Sequence, residues 1–168
     1  ARFERATEQP LVLMTQRSRL DAFLVEQAAG AGADFRDGVR VDDLALLEGG
    51  VEARVSGDKV AAKWLVCADG VNGTTTRSIG LDDGRTYGVA LEANVRYGVV
   101  SEEEYRGRLF LELANVPGGY GWVFPKGDHA NLGVGGWMTE GPRLRGHLDR
   151  LAREHGVDPS ALESVRGH

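Results

Sequence analysis

The chain has 168 residues, a net charge of −5, 42% hydrophobic and 27% charged residues, and a single cysteine, Cys67. That excludes an internal disulfide framework and a cysteine zinc site, and the absence of a Lys/Arg block argues against an electrostatic nucleic-acid binder. No apolar run reaches the roughly 18 residues needed to span a bilayer and no signal peptide opens the chain, so a cytoplasmic protein is the expectation. Glycine contributes 24 residues, about twice its usual share of roughly 7%. Without a collagen period, that points to tight turns or to backbone brought close to a ligand.

In chain order, LVLMT at 11–15 is a short apolar run that predicts a strand. A helix is predicted over 17–32, with Leu20, Phe23, Leu24 and Ala28 at helical spacing, Ser18 as N-cap, and Gly30 and Gly32 as stops. Residues 33–35 read as extended. From 39 to 68 the pattern predicts an antiparallel meander, broken at Gly49-Gly50 and Gly57-Asp58. Its last piece, WLVCA at 64–68, is apolar at every position, the composition of a strand covered on both faces. A polar, glycine-containing turn follows.

Beyond a junction placed near 80–85, four strands are predicted, at 87–97, 109–115, 121–125 and 131–138, in one antiparallel sheet. An amphipathic helix follows over 142–155, with Pro142 in its first turn, Leu144, Leu148 and Leu151 on one face, and a stop near Gly156. Residues 159–165 suggest one or two further helical turns. The fold expected is mixed, α+β or α/β. Its first lobe holds a helix, a β-meander and a buried strand, and looks unfinished because the buried strand lacks an evident parallel partner. A separate antiparallel sheet with a following helix forms the rest.

Three segments could carry chemistry. In LVCADGVNG, a buried strand would deliver Asp69 and Gly70 at its C-terminal end, where open α/β sheets bind ligands. An ionised Asp accepts hydrogen bonds from sugar hydroxyls, and a glycine admits close backbone approach. A plain Asp-Gly turn is an equally good reading of these residues alone. In RSRLD, Arg17 opens a helix and could contact a phosphate; a solvated helix start explains the same residues at least as well. In GGYGWVFPKGDHANLGVGG, Tyr120, Trp122 and Phe124 alternate, so their rings share one face of a strand, and Pro125 ends it. Gly133 and Gly135 leave space beside them. Aromatic core packing explains the rings, but it leaves the paired glycines unexplained. His129, His147, His155 and His168 lack metal-ligand spacing, so no metal site is expected. No G-x-G-x-x-G, P-loop or G-x-S-x-G occurs.

Taken together these segments resemble the central part of FAD-dependent oxidoreductases of the geranylgeranyl reductase family, within the p-hydroxybenzoate hydroxylase superfamily. QRSRLDAFLVEQAAGAGA is similar to that family's Arg-x-x-Phe-Asp helix, with Leu20 where Phe is commoner. CADGVNG, followed by Arg77 and Ile79-Gly80-Leu81, is similar to its Asp-Gly motif, with Cys67, Gly73 and Thr76 as departures. Tyr120-x-Trp122-x-Phe124-Pro125, seven residues, then Gly133-x-Gly135 is similar to the motif that holds the isoprenoid chain. The first two motifs are shared across the superfamily; the third is more specific and recurs in quinone-linked dehydrogenases.

The resemblance implies a partial FAD-binding domain over 1–80, an antiparallel substrate sheet over 81–141 and a helical return segment over 142–168. It covers nearly all the chain but only about half of such an enzyme, and lacks the family's G-x-G-x-x-G unit and its closing Gly-Asp motif. The expectation is therefore a piece of a longer protein, inactive alone. It implies FAD as cofactor, NAD(P)H or another reductant as electron donor, and reduction of C=C bonds of an isoprenoid lipid. Arg17, Asp69 and Gly70 would contact FAD. Tyr120, Trp122, Phe124 and Pro125 would wall a lipid tunnel with Gly133 and Gly135 as its floor, and no catalytic acid or base is named. The apolar substrate leaves room for a peripheral membrane contact. Alternatives are a flavin-dependent aromatic monooxygenase or halogenase, a quinone-linked electron-transfer dehydrogenase, and a lipid-binding module without catalysis. The halogenase alternative rests on the Trp122-to-Pro125 strand and the nearby Lys126.

Overall fold

The computed structural model describes residues 8–81 and 86–168. The expected junction falls largely on 82–85, outside the described residues. Two compact units result: Ala1–Phe23 together with Tyr87–His168, and Leu24–Thr86.

The larger unit is built on a five-stranded antiparallel sheet. Its strands are β4 (Gly88–Arg96), β5 (Phe110–Leu113), β6 (Tyr120–Pro125), β7 (His129–Trp137) and β8 (Glu163–Gly167), in the spatial order β5-β6-β7-β4-β8. Four of these are the predicted strands. Alternation along β4 explains the layering. Ala93 and Val95 point to one face, where they are fully buried. Glu92, Asn94 and Arg96 point to the other.

The buried face is covered by the helix α4 (Leu144–Glu154). Leu148 and Leu151 pack with Val123, Leu132 and Val134 in one core. A two-turn 3-10 segment, Met138–Arg143, carries Pro142 into α4. At the far end Gly156 sits at φ +72°, and the Val157 N–H donates to the Ala152 carbonyl at 2.8 Å. That is the left-handed stop the glycine predicts.

Residues 142–168 are not helical throughout. Pro159–Ala161 forms a single 3-10 turn capped by Asp158, whose carboxylate accepts from the Ser160 N–H. The chain then enters β8. The composition of PSALE suits a helix, but β4 offers a free edge, and antiparallel pairing with it, bulged between Glu92 and Asn94, overrides that local preference.

The smaller unit contains the meander: β1 (Val41–Leu47), β2 (Gly50–Val55) and β3 (Asp58–Ala62). Its second turn has Ser56 at φ +50° and Gly57 at +95°, the two positive values of a type I′ hairpin. The helix α1 (Arg17–Gly30) runs through the boundary between the units. It starts one residue before Ser18, so Ser18 lies inside the helix; the Gln16 carbonyl accepts from the Leu20 N–H instead. Gly32 at φ +97° closes it. None of its residues is buried, so its apolar residues have no covering layer among the described residues.

Two strand predictions do not hold. Residues 11–15 and 64–68 are unpaired, and Leu13, Trp64 and Val66 are 83%, 86% and 84% exposed. The WLVCA segment is therefore not a buried strand here. A strand exists only where a neighbour takes up its backbone hydrogen bonds, and neither segment has such a neighbour among the described residues.

Candidate functional site

The aromatic–glycine motif lies on the face of the five-stranded sheet opposite α4. Register sets it out. Trp122 pairs with Gly133, Tyr120 with Gly135 and Phe124 with Asn131. The rings form a continuous row along β6, with centroids 5.8 Å apart from Tyr120 to Trp122 and 6.1 Å from Trp122 to Phe124. Pro125 is the last residue of the strand. The same face of β5 carries Leu111 and Leu113, which are exposed.

Gly133 is a structural necessity. A Cβ built there would overlap Cζ2 and Cε2 of Trp122, so the indole lies flat against the glycine backbone. This corrects the expected picture of a slot between an aromatic wall and a glycine floor. The room above Gly133 is filled by the indole itself, because β6 and β7 are neighbours and the two residues are register partners. Gly135 is less constrained; its nearest neighbours would be Ala90 Cβ and the Val89 carbonyl oxygen, both at 3.4 Å. The result is an apolar strip along β5 and β6 on an open sheet face, bordered on β4 by Glu92, Asn94 and Arg96.

Two polar side chains, absent from the motif as read in sequence, complete this face: the buried Asn131 and the half-buried Asn94. The indole Nε1–H donates to Asn131 Oδ1 at 2.9 Å, and Asn131 Nδ2 donates to Asn94 Oδ1 at 3.0 Å. Asn131 is only 6% exposed. The one sequence signal was an asparagine two residues before Gly133, on the same face by strand alternation.

The start of α1 adjoins the β6–β7 hairpin. Lys126 Nζ donates to the Thr15 carbonyl at 3.0 Å, and Gln16 Nε2 donates to Asp128 Oδ1 at 3.3 Å. The structure therefore brings the helix start that carries Arg17 beside the end of the aromatic strand. Arg17 grips Asp21 through Nε and Nη2, at 3.1 and 3.2 Å. That pairing holds its guanidinium above the ordinary arginine value. It takes two of the five guanidinium donors and leaves three.

Asp69 and Gly70 belong to the smaller unit and are described within it. The Asp69 carboxylate accepts from the Thr75 hydroxyl and from the Thr75 N–H, the latter at 2.9 Å. These bonds, the hydroxyl's first, hold its pKa below the ordinary carboxylate value. A Cβ at Gly73 would overlap that carboxylate as it is placed here, so a larger residue there would need Asp69 to turn aside. Arg77 ties the loop down, donating to the Gly73 and Asn72 carbonyls at 3.1 and 2.9 Å. Gly70 takes φ +76° with open space where a side chain would stand. An exposed, ionised carboxylate next to accessible backbone suits hydroxyl and phosphate groups of a cofactor.

Comparison with known proteins finds two overlapping matches along the chain. Residues 1–126 match the model of an FAD binding domain, and residues 91–167 match that of the geranylgeranyl reductase catalytic domain. The chain is 33% identical over 164 residues to digeranylgeranylglycerophospholipid reductase 2 of Methanothermobacter thermautotrophicus, covering 89% of this chain and 42% of that protein. It is 34% identical over 135 residues to a probable electron transfer flavoprotein-quinone oxidoreductase of Escherichia coli, covering 70% of this chain and 30% of that protein. The crystal structure of a geranylgeranyl bacteriochlorophyll reductase-like protein from Thermoplasma acidophilum superimposes with a TM-score of 0.73 at 26% identity. It covers 90% of this chain and 41% of that one. The chain belongs to the FAD-dependent flavoproteins, in the geranylgeranyl reductase family. Its cofactor is FAD. It spans about two fifths of the length of the first two of these relatives that carry a reductase name. Among the described residues no helix is long and apolar enough to cross a membrane.

Proposed function

We propose that the chain is part of a flavoenzyme that reduces carbon–carbon double bonds of an isoprenoid lipid, and that the aromatic face of its five-stranded sheet receives the lipid. The observation that carries this reading is the continuous ring row of Tyr120, Trp122 and Phe124, with the indole seated on Gly133. It offers a row of apolar ring surfaces and no reactive side chain. A polyprenyl chain needs such a surface, since its recognition rests on apolar contact rather than hydrogen bonds.

The chemistry supplied by bound FAD is hydride delivery to the double bond, with NAD(P)H or another reductant as the source of electrons. This chain's residues bind and orient. The three remaining N–H donors of Arg17 suit a phosphate or ribityl oxygen. Asp69, kept ionised by Thr75, accepts from cofactor hydroxyls, and Gly70 permits close approach of the backbone. Pro125 ends the aromatic strand beside the helix start, so lipid-side and cofactor-side groups meet within the larger unit. Gly135 keeps the remainder of the surface low. These roles rest on local geometry and on the family.

In the FAD-loaded full-length protein, Trp122→Ala should weaken geranylgeranyl-lipid binding about tenfold or more, the loss of one large aromatic contact, and leave flavin content intact. Asp69→Ala should do the reverse. Flavin loss in Trp122→Ala would move that strand to the cofactor side. The 34% identity to a quinone oxidoreductase relative favours one second reading, electron transfer to a quinone. Flavin reoxidation by a quinone, with no saturation of the lipid, would select it.

A further inference from the structure

We propose that Asn131, held in turn by Asn94, is a positioning residue for Trp122, and that it makes the indole a fixed, hydrogen-bond-silent surface selective for pure hydrocarbon. This rests on the isoprenoid reading of the same face.

The geometry starts from an unfavourable choice of residue. Asn131 sits in β7 between Ala130 and Leu132, which are 0% and 1% exposed, and is itself 6% exposed. Asparagine is a poor strand former, and burying its amide is costly unless every group finds a partner. Both ends do. Oδ1 takes the indole N–H and Nδ2 reaches Asn94, the register partner of Asn131 on β4.

Three contacts then fix the ring. Nε1 is held over Asn131, Cζ2 and Cε2 rest against Gly133, and Cζ3 points toward Gly135, 3.7 Å from where its Cβ would stand. The indole lies along β7 across three alternate residues. Gly133 sets its depth. Depth alone does not choose between the two flips of a planar ring about its broad final torsion; the hydrogen bond to Asn131 does. It also removes from the surface the only polar group of the indole. A hydrocarbon laid on that surface therefore strands no donor. A ligand that carries a hydroxyl there must give up its bond to water for nothing, which is discrimination by an unmet polar group.

The test uses the full-length, FAD-loaded protein, labelled with nitrogen-15 in tryptophan; the Trp122 indole resonance is assigned by its loss in Trp122→Phe. In Asn131→Leu, of similar volume but without an acceptor, exchange of that indole proton with water should accelerate about five- to tenfold, the worth of one hydrogen bond. KM for a geranylgeranyl lipid should rise by a similar factor while kcat and flavin content hold. Asn131→Asp at pH 8 keeps an acceptor for the indole and lets the Asn94 amide turn to donate. It should restore slow exchange and low KM, which separates positioning from a general loss of fold. Unchanged indole exchange in Asn131→Leu would overturn the positioning role. Faster exchange with unchanged KM would overturn the selectivity role. If wild-type protein neither binds nor reduces the lipid, the substrate reading fails and takes selectivity with it, while the exchange contrast still decides positioning.

Discussion

The two sheets of this chain are made of similar strands and end in different states. The five-stranded sheet places Ala93, Val123, Leu132 and Val134 under α4 and buries them almost completely. The three-stranded meander is as regular in its pairing, yet Val51 is the one hydrophobic residue it buries among the described residues. Hydrogen-bonded pairing thus makes a sheet, but burial needs a second layer. The larger unit carries its own layer in α4. That difference also explains where the aromatic motif can work. A face left open for a ligand keeps its shape only if the opposite face is firmly packed.

The largest effect should come from removing that packing. Leu148→Ala, in the face of α4 on the core, should cost about 2–5 kcal/mol. Val51→Ala in the meander should cost about 1–2 kcal/mol, the worth of two methyl-sized groups. Chemical denaturation of both variants, followed by circular dichroism, checks the contrast; equal losses would break it. Next, Gly133→Ala should cost about 1–3 kcal/mol, because the new methyl meets the indole ring. It should also lift the ring and weaken lipid binding more than Gly135→Ala, whose site has ordinary contact distances. A thermal melt and a lipid titration of the two variants rank them.

A smaller effect sharpens the comparison through pH. Tyr105 is 1% exposed, and burial pushes its hydroxyl up to about 12. It contacts the His155 ring nitrogen Nδ1 at 2.9 Å, and His155 reaches Glu112 through Nε2 at 3.3 Å. The folded value lies above the ordinary tyrosine value of about 10. Its contribution to stability is therefore complete below pH 10 and is lost as the pH rises from about 10 to 12. Tyr105→Phe should remove that alkaline decline and cost about 1 kcal/mol at neutral pH from the lost hydrogen bond. Stability measured from pH 8 to 12 in both proteins checks it. A decline of equal size in Tyr105→Phe would assign the effect to other groups.

Much of this was legible in the residues, for identifiable reasons. The meander was readable because Gly49 and Gly57 sit where turns require positive φ. The α4 stripe was readable because Leu144, Leu148 and Leu151 recur at helical spacing. The aromatic face followed from period-two alternation of Tyr120, Trp122 and Phe124. What escaped depends on partners distant in sequence. β8 forms because β4 offers an edge, which a local reading of PSALE does not see. Residues 11–15 and 64–68 have strand composition but no strand neighbour among the described residues. The Trp122–Asn131–Asn94 chain spans three strands, and only register brings it together. Gly133 was read as empty space for a ligand, whereas its space belongs to the ring on the neighbouring strand.

If the aromatic face serves the lipid and the Asp69 loop serves the flavin, mutation should separate the two. The most direct measurement is flavin content together with turnover of a geranylgeranyl lipid in the full-length protein, for wild type, Trp122→Ala and Asp69→Ala. Full flavin with weakened lipid saturation kinetics is expected in Trp122→Ala, and reduced flavin in Asp69→Ala. Wild-type protein that holds FAD but leaves every double bond of the lipid unreduced would contradict the lipid reading.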